Sequence, residues 1–200
     1  MTGKLLLIAV VGYLFGSLSI SVFISKYVLH NDVREHGSGN AGATNVARVF
    51  GMKAGLITLG GDMLKTAAAG LVGWLLAGVT GLAVGCAACL IGHSWPVFFR
   101  FRGGKGVSVS ACIALLLDWR MFLIVLGVFM LVFLFSRRVS LCSILASLCF
   151  PPVYWLLHPG LSAGFWLCVM VPVLIVFLHR GNIVRLIHGE EPKFRPKHRE

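Results

Sequence analysis

The feature that most limits what this chain can fold into is a succession of apolar runs separated by short polar breaks. A helix needs ~20 mainly apolar residues to cross the hydrocarbon core of a bilayer, somewhat fewer if it is short or partly buried. Long runs cover residues 5–25, 54–79 and 82–99, and shorter or more interrupted ones cover 107–117, 121–135, 141–157 and 161–178. Asp118 with Arg120, Ser136-Arg137-Arg138 and His158-Pro159-Gly160 mark three of the breaks. The expectation is an all-α polytopic integral membrane protein of about seven transmembrane helices, forming one transmembrane domain over residues 1–200. The first run is too long for a signal peptide and lacks a clear cleavage site before the polar segment 31–48, so it is read as a retained helix.

Charge sets the orientation. Only 12% of residues are charged against 58% hydrophobic, which leaves too few polar side chains to cover a soluble globule and is far too apolar for disorder. The 18 Lys plus Arg outnumber the 7 acidic residues, for a net charge of +11. With seven spans, segments 26–53, 100–105, 136–139 and 179–200 share one side and hold fifteen of the basic residues, while the other side holds Lys4 and Arg120. The positive-inside rule then puts the N-terminus outside and the C-terminus in the cytoplasm. The surplus charge thereby loses its reading as a nucleic-acid surface, and about half of it serves topology and contact with anionic lipid. The six cysteines lie in or beside apolar runs. Cys86 and Cys89 have C-x-x-C spacing but no second pair, so buried free thiols are expected rather than a zinc or redox centre.

Three segments on the basic side carry the polar chemistry. The first, HGSGNAGATNVARVFG (36–51), places Gly37, Gly39 and Gly42 in the spacing of a dinucleotide fingerprint, but it lacks the preceding strand that the fingerprint requires. What survives is the physics of the motif. Glycines let backbone N–H groups approach an anion, Ser38, Asn40, Thr44 and Asn45 add donors, and Arg48 adds charge, which suits a phosphate nest. The second, GHSWPVFFRFRGGKGV (92–107), is no Walker loop, since Lys105 is followed by glycine. Gly103, Gly104 and Gly106 around Lys105 nonetheless make an anion-binding turn at the start of a helix. Trp95, Phe98, Phe99 and Phe101 read as an interfacial aromatic belt, and His93 as a ligand, a base or a structural hydrogen-bonding group. In the third, HRGNIVRLIHGEEPKF (179–194), His179, Asn182 and Arg185 recur every three residues, on one face of a helical extension. Within the second run, Asp62 and Lys65 stand three apart at a depth where ionisable residues usually pair and mark a functional cavity.

The carboxylates are scattered, and neither a G-x-S-x-G elbow nor an H-E-x-x-H motif occurs, so metal catalysis is not expected. Anion nests at one face without a strong nucleophile suggest transfer from an activated phosphorylated donor, with the protein supplying position and electrostatics.

The segments GSGNAGATNVAR (37–48), GHSWPVFFRFRGGKGV (92–107) and HRGNIVRL (179–186), with Asp62 and Lys65, closely resemble the bacterial acyl-phosphate-dependent glycerol-3-phosphate acyltransferases, in order and separation, across essentially the whole chain. The resemblance implies a seven-helix enzyme of the bacterial inner membrane, without cofactor or metal, working at the cytoplasmic face among membrane lipid. Its substrates would be acyl phosphate and glycerol 3-phosphate. It would acylate the 1-hydroxyl and release lysophosphatidic acid and phosphate. Carried over, Ser38, Asn40, Thr44 and Asn45 line the phosphate nest, with Arg48 as a clamp. Gly103, Gly104, Lys105 and Gly106 bind phosphate and stabilise the developing oxyanion. His179, Asn182 and Arg185 hold glycerol 3-phosphate, and Ser143 touches substrate. Asp62 and Lys65 count among the substrate-binding residues. The H-x-x-x-x-D motif of soluble-type acyltransferases is absent, as this family implies. Two other classes compete. A transporter of organic phosphate would gather its polar residues around a midplane site, and a lipid-binding scaffold leaves the glycine motifs unexplained.

Overall fold

The computed structural model describes residues 2–195, and every regular element among them is helical. Lys197 and Arg199 of the basic tail lie outside the described residues. The seven apolar runs are mostly helical; Leu18-Ser19, Trp95-Pro96 and the Cys149 junction interrupt three of them. The chain divides into two compact units, the first reaching Val109 and the second running from Ser110 to Phe194.

The first unit opens with α1 (Thr2–Ser17), then α2 (Ile20–Phe23), prolonged by one wide π turn over Ile24–Val28. A polar stretch follows, ending in the amphipathic α3 (Ala43–Phe50). Next comes α4 (Met52–Ser94), which breaks at Ala77 and Gly78; Gly78 has φ +60°, a conformation suited to glycine. Contacts across the break show that α4 is a hairpin of two antiparallel arms. A Cβ on Gly73 would collide with the Gly81 carbonyl and the reverse, Gly85 abuts Ala69, and the Cys89 thiol meets Thr66 Oγ1 at 3.7 Å. The sequence reading of two runs, 54–79 and 82–99, corresponds to these two arms. Helix α1 lies parallel to the second arm, since Gly12 rests on Gly85, Gly16 on Cys89 and Gly92 on Tyr13. Lipid offers no hydrophobic drive for helices to associate, so close backbone approach through small residues holds them instead. Gly12 and Gly16, four apart, are the small-residue stripe of α1.

The second unit takes up α5 (Val107–Leu117) from Ser110 and continues through α6 (Trp119–Ser136), α7 (Val139–Leu148), α8 (Phe150–Leu157), α9 (Ala163–Leu178) and α10 (Arg180–Ile187). Run 141–157 forms two helices because Pro151 and Pro152 follow the junction at Cys149, where a missing N–H is tolerated only in a first turn. Asp118 caps α6. It accepts from the Arg120 backbone N–H at 2.8 Å, from Arg120 Nη2 at 2.7 Å and from His158 Nε2 at 2.9 Å. The Arg120 guanidinium, seconded by His158, holds the Asp118 carboxyl well below the usual carboxylate range. Between α9 and α10 the axis turns by 61° at His179. None of the six cysteines is in a disulfide, and all but Cys149 are buried.

A bulky residue at the α1 crossing has nowhere to go. Gly16→Leu is expected to lower stability by roughly 1–3 kcal/mol or more through overpacking, seen as a lower melting temperature in detergent. Gly127→Leu, placed where a Cβ meets nothing within 4 Å, serves as the control. Equal melting temperatures for the two variants would contradict the packing described.

Candidate active site

The structure brings the first two polar segments together in the first unit. Gly37 and Gly39 have φ of +60° and +70°, and they turn the chain from the short 3-10 helix Val33–Glu35 toward α3. Asn45, only 1% exposed, staples this turn: its Nδ2 donates to the Val33 and His36 carbonyls (3.1 and 2.9 Å), and its Oδ1 accepts the Ser38 N–H at 2.9 Å. The Asn45 amide, which the sequence offers as part of a phosphate nest, has both ends on local backbone and closes this loop. Ser38 is exposed, while Asn40, Thr44 and Arg48 are half-buried. Thr44 and Arg48, four apart on α3, share a face, and the first N–H groups of α3 lack intrahelical acceptors.

The second segment folds back against the first. After the 3-10 turn Val97–Phe99, Arg100 and Phe101 both take left-handed φ of +57°, and the chain reverses into Gly103-Gly104-Lys105-Gly106. The Gly104 N–H donates to the His93 carbonyl at 3.0 Å. Gly104 is packed so closely on the His93 ring and the Ala41 carbonyl that no side chain fits there. Arg34 Nη1 donates to the Phe99 carbonyl at 3.0 Å, and Ser21 Oγ to the Ala41 carbonyl at 2.8 Å. Arg34 also pairs with Asp32 at 2.7 Å, and that guanidinium lowers the Asp32 carboxyl from its ordinary value. Lys105 stays half-buried within the glycine turn, and Gly106, at φ +79°, leads into α5.

Beneath the turn lies a network of buried ionisable groups. Lys65 Nζ donates to the Gly16 and Leu18 carbonyls at 2.9 and 2.8 Å, and stands 3.0 Å from Asp62 Oδ1 and 3.1 Å from His93 Nδ1. Asp62 Oδ2 accepts from Ser108 Oγ at 2.9 Å. Asp62, Lys65 and His93 are 1%, 5% and 3% exposed. Ser108, in the first turn of α5, carried no signal in the sequence beyond its place after the glycines.

The second unit holds the third segment. The ring of His179, buried at the bend between α9 and α10, has Nδ1 2.8 Å from the Ile175 carbonyl. A carbonyl can only accept, so in this contact the His179 ring carries a proton on Nδ1. Asn182 and Arg185 share a face of α10, as their spacing predicts, and both meet a residue the sequence reading gave no role. Glu191 Oε1 accepts from Asn182 Nδ2 at 2.6 Å and from Ser140 Oγ at 2.7 Å, and Oε2 accepts from Arg185 Nε at 2.8 Å. Gly189, with φ +76°, reverses the chain after α10, and the Glu190 and Glu191 N–H groups return to the Arg185 carbonyl. Arg138 Nε fixes the Glu191 carbonyl at 3.1 Å. Ser143, 3% exposed, turns its hydroxyl into its own helix at Val139, so Ser140 rather than Ser143 joins this cluster.

Burial raises the Glu191 carboxyl, but the hydrogen bonds from Ser140, Asn182 and Arg185 outweigh it and the net shift is downward. A depressed folded-state value means that Glu191 adds stability above the ordinary carboxylate range and loses it as pH falls through the folded value. The melting-temperature gap between wild type and Glu191→Gln is therefore expected to shrink from about pH 6 to about pH 3. A gap unchanged over that range would contradict the assignment.

Comparison with known proteins places this arrangement in a family. The profile described as glycerol-3-phosphate acyltransferase matches residues 6–189. A glycerol-3-phosphate acyltransferase of Thermoanaerobacter sp. (strain X514) is 38% identical over 194 residues, covering 96% of each chain. One from Neisseria meningitidis serogroup B (strain ATCC BAA-335 / MC58) is 42% identical over 193 residues, covering 92% of this chain and 94% of its own. The crystal structure of PlsY (YgiH), an integral membrane glycerol 3-phosphate acyltransferase, in its glycerol 3-phosphate form superposes with a TM-score of 0.90 at 33% identity over 96% of each chain. Its lysophosphatidic acid form gives 0.87 at 32% identity over 96% of this chain and 95% of the other. Since the profile contains both glycine segments and the face of α10, and relatives match nearly end to end, this chain belongs to the glycerol-3-phosphate acyltransferase family.

Proposed function

We propose that this protein transfers a fatty acyl group from acyl phosphate to the sn-1 hydroxyl of glycerol 3-phosphate, giving lysophosphatidic acid and phosphate. The acceptor and product follow the forms in which the related PlsY was crystallised. The observation that carries the donor is the meeting of two glycine segments around Lys105, with Gly104 packed on Ala41. Such a nest suits a phosphate on the donor as well as one on the acceptor.

Ser38, Asn40, Thr44 and Arg48 line the first nest, and Gly103, Gly104, Lys105 and Gly106 form the second, which also stabilises the carbonyl oxygen as it gains charge. His179, Asn182 and Arg185 hold glycerol 3-phosphate, and Ser143 stands close to it. In the reaction the glycerol hydroxyl oxygen attacks the acyl carbonyl carbon, a new C–O ester bond forms, and the bond from that carbon to the phosphate oxygen breaks. Phosphate departs with the electron pair, and the hydroxyl proton passes to His179 or to a phosphate oxygen of the substrates. An acyl phosphate is a mixed anhydride with a good leaving group, so no covalent enzyme intermediate and no metal are needed.

The setting is the bacterial inner membrane. Seven spans with the N-terminus outside place the basic segments and the site at the cytoplasmic face, with the acyl tail among lipid-facing helices. The parallel course of α1 and the second arm of α4, antiparallel to the first arm, supports that alternation.

The test is lysophosphatidic acid formation, with phosphate release followed alongside, by purified protein in detergent or lipid, given acyl phosphate with and without glycerol 3-phosphate, and given acyl-CoA in its place. Product is expected only with acyl phosphate and glycerol 3-phosphate together. Lys105→Ala and Ser38→Ala are each expected to cut that rate by ~10²–10³-fold while the protein stays folded. Acyl-CoA as the better donor would sink the donor assignment. Uptake of glycerol 3-phosphate into sealed vesicles without release would favour transport.

A further inference from the structure

The pair Asp62 and Lys65 sits in the apolar interior, yet it meets the glycine turn at both ends. At the entry, His93 receives the Gly104 N–H on its carbonyl and lays its ring against the Gly104 Cα. Its Nδ1, 3.1 Å from the Lys65 ammonium and 3.5 Å from Asp62 Oδ1, accepts from the nearer group, which is a donor only. The ring proton then resides on Nε2, the nitrogen that faces Gly104. At the exit, Ser108 follows Gly106 by two residues and binds Asp62 Oδ2 at 2.9 Å. Residues 103–106 are thus bracketed by two contacts that converge on one carboxylate and one ammonium. Lys65 in turn is fastened to the Gly16 and Leu18 carbonyls at the end of α1. Groups so enclosed, with their polar atoms directed at one another, are poorly placed to touch a substrate.

We propose that Asp62, Lys65, His93 and Ser108 are positioning residues: they hold the Gly103–Gly106 turn in the conformation that binds phosphate and do not contact substrate themselves. This replaces the direct binding role expected for Asp62 and Lys65, and it rests on the reading of the Lys105 turn as a phosphate site. A glycine turn has many accessible conformations, and only some aim its N–H groups and Lys105 at one anion. Fixing its entry and exit removes that freedom before substrate arrives. Ser108 is the informative position, because losing one hydroxyl there leaves the Lys65–Asp62 contact in place.

The experiment measures kcat/KM for acyl phosphate in Ser108→Ala, Ser108→Thr, Lys105→Ala, Lys105→Arg and the double variant Ser108→Ala/Lys105→Arg, with melting temperature as a fold check. Ser108→Ala is expected to lose about 10-fold, the size of one hydrogen bond to a charged group, with its melting temperature close to wild type. Ser108→Thr, which keeps the hydroxyl, recovers most of that loss. In the Lys105→Arg background, where a forked guanidinium replaces the ammonium that the turn is shaped to aim, Ser108→Ala is expected to cost less than about 2-fold further, because the two residues act through one element. A full additional loss in the double variant, or a wild-type rate for Ser108→Ala beside an inactive Lys105→Ala, overturns the positioning role alone. A near-normal rate for Lys105→Ala removes the phosphate site itself, and the positioning role with it.

Discussion

A lysine ammonium enclosed among apolar helices must find its partners inside the protein, and the partners Lys65 finds tie the first unit together. The carbonyls of Gly16 and Leu18 lie where α1 ends and its last acceptors lack intrahelical donors. Asp62 supplies the compensating charge from the same arm of α4, and His93 joins from the other arm. Leaving such a charge unpaired costs far more than the net worth of the pair. The network therefore acts as a demanding constraint: the end of α1, both arms of the hairpin and the start of α5 must reach their places together. The glycine crossings at Gly12, Gly16, Gly73 and Gly81 make that approach sterically possible.

The polar work is divided by depth. Buried groups, Asp62, Lys65, His93 and Asn45, bind the protein to itself, while Ser38, Thr44, Arg48 and Lys105 are more open. In the second unit Glu191 plays the buried part and draws Ser140, Asn182 and Arg185 to one carboxylate. Phosphate chemistry at a membrane surface needs fixed cations and N–H groups at the mouth, and rigid supports below them. A donor that already carries a good leaving group asks little more, which is why the proposed reaction is a single-step attack by the glycerol hydroxyl.

The apolar runs were legible because period and length identify a membrane helix almost without context. The hairpin of α4 was legible too, since its polar-poor break falls where the two runs meet, near Gly78. The glycine segments were legible as tight turns, with Gly37, Gly39 and Gly106 at positive φ, and their use as anion nests is part of the proposed function. What escaped were the supports. Ser108 and Ser140 are ordinary helical serines until Asp62 and Glu191 arrive from 46 and 51 residues away. Glu191, in a charged stretch after α10, looked like solvated tail, and only the reversal at Gly189 carries it inward. Asn45 stood among real candidates for anion contact, and its burial alone separates it from Thr44.

The most direct test of single-step transfer is isotope exchange without acceptor. The protein is given acyl phosphate and labelled inorganic phosphate, with glycerol 3-phosphate withheld, and label is sought in the acyl phosphate pool. Direct attack predicts no exchange, because no acyl-enzyme exists to be recaptured by phosphate, while label-free turnover proceeds once glycerol 3-phosphate is added. Exchange at a rate comparable to turnover would reveal a covalent intermediate and contradict the account.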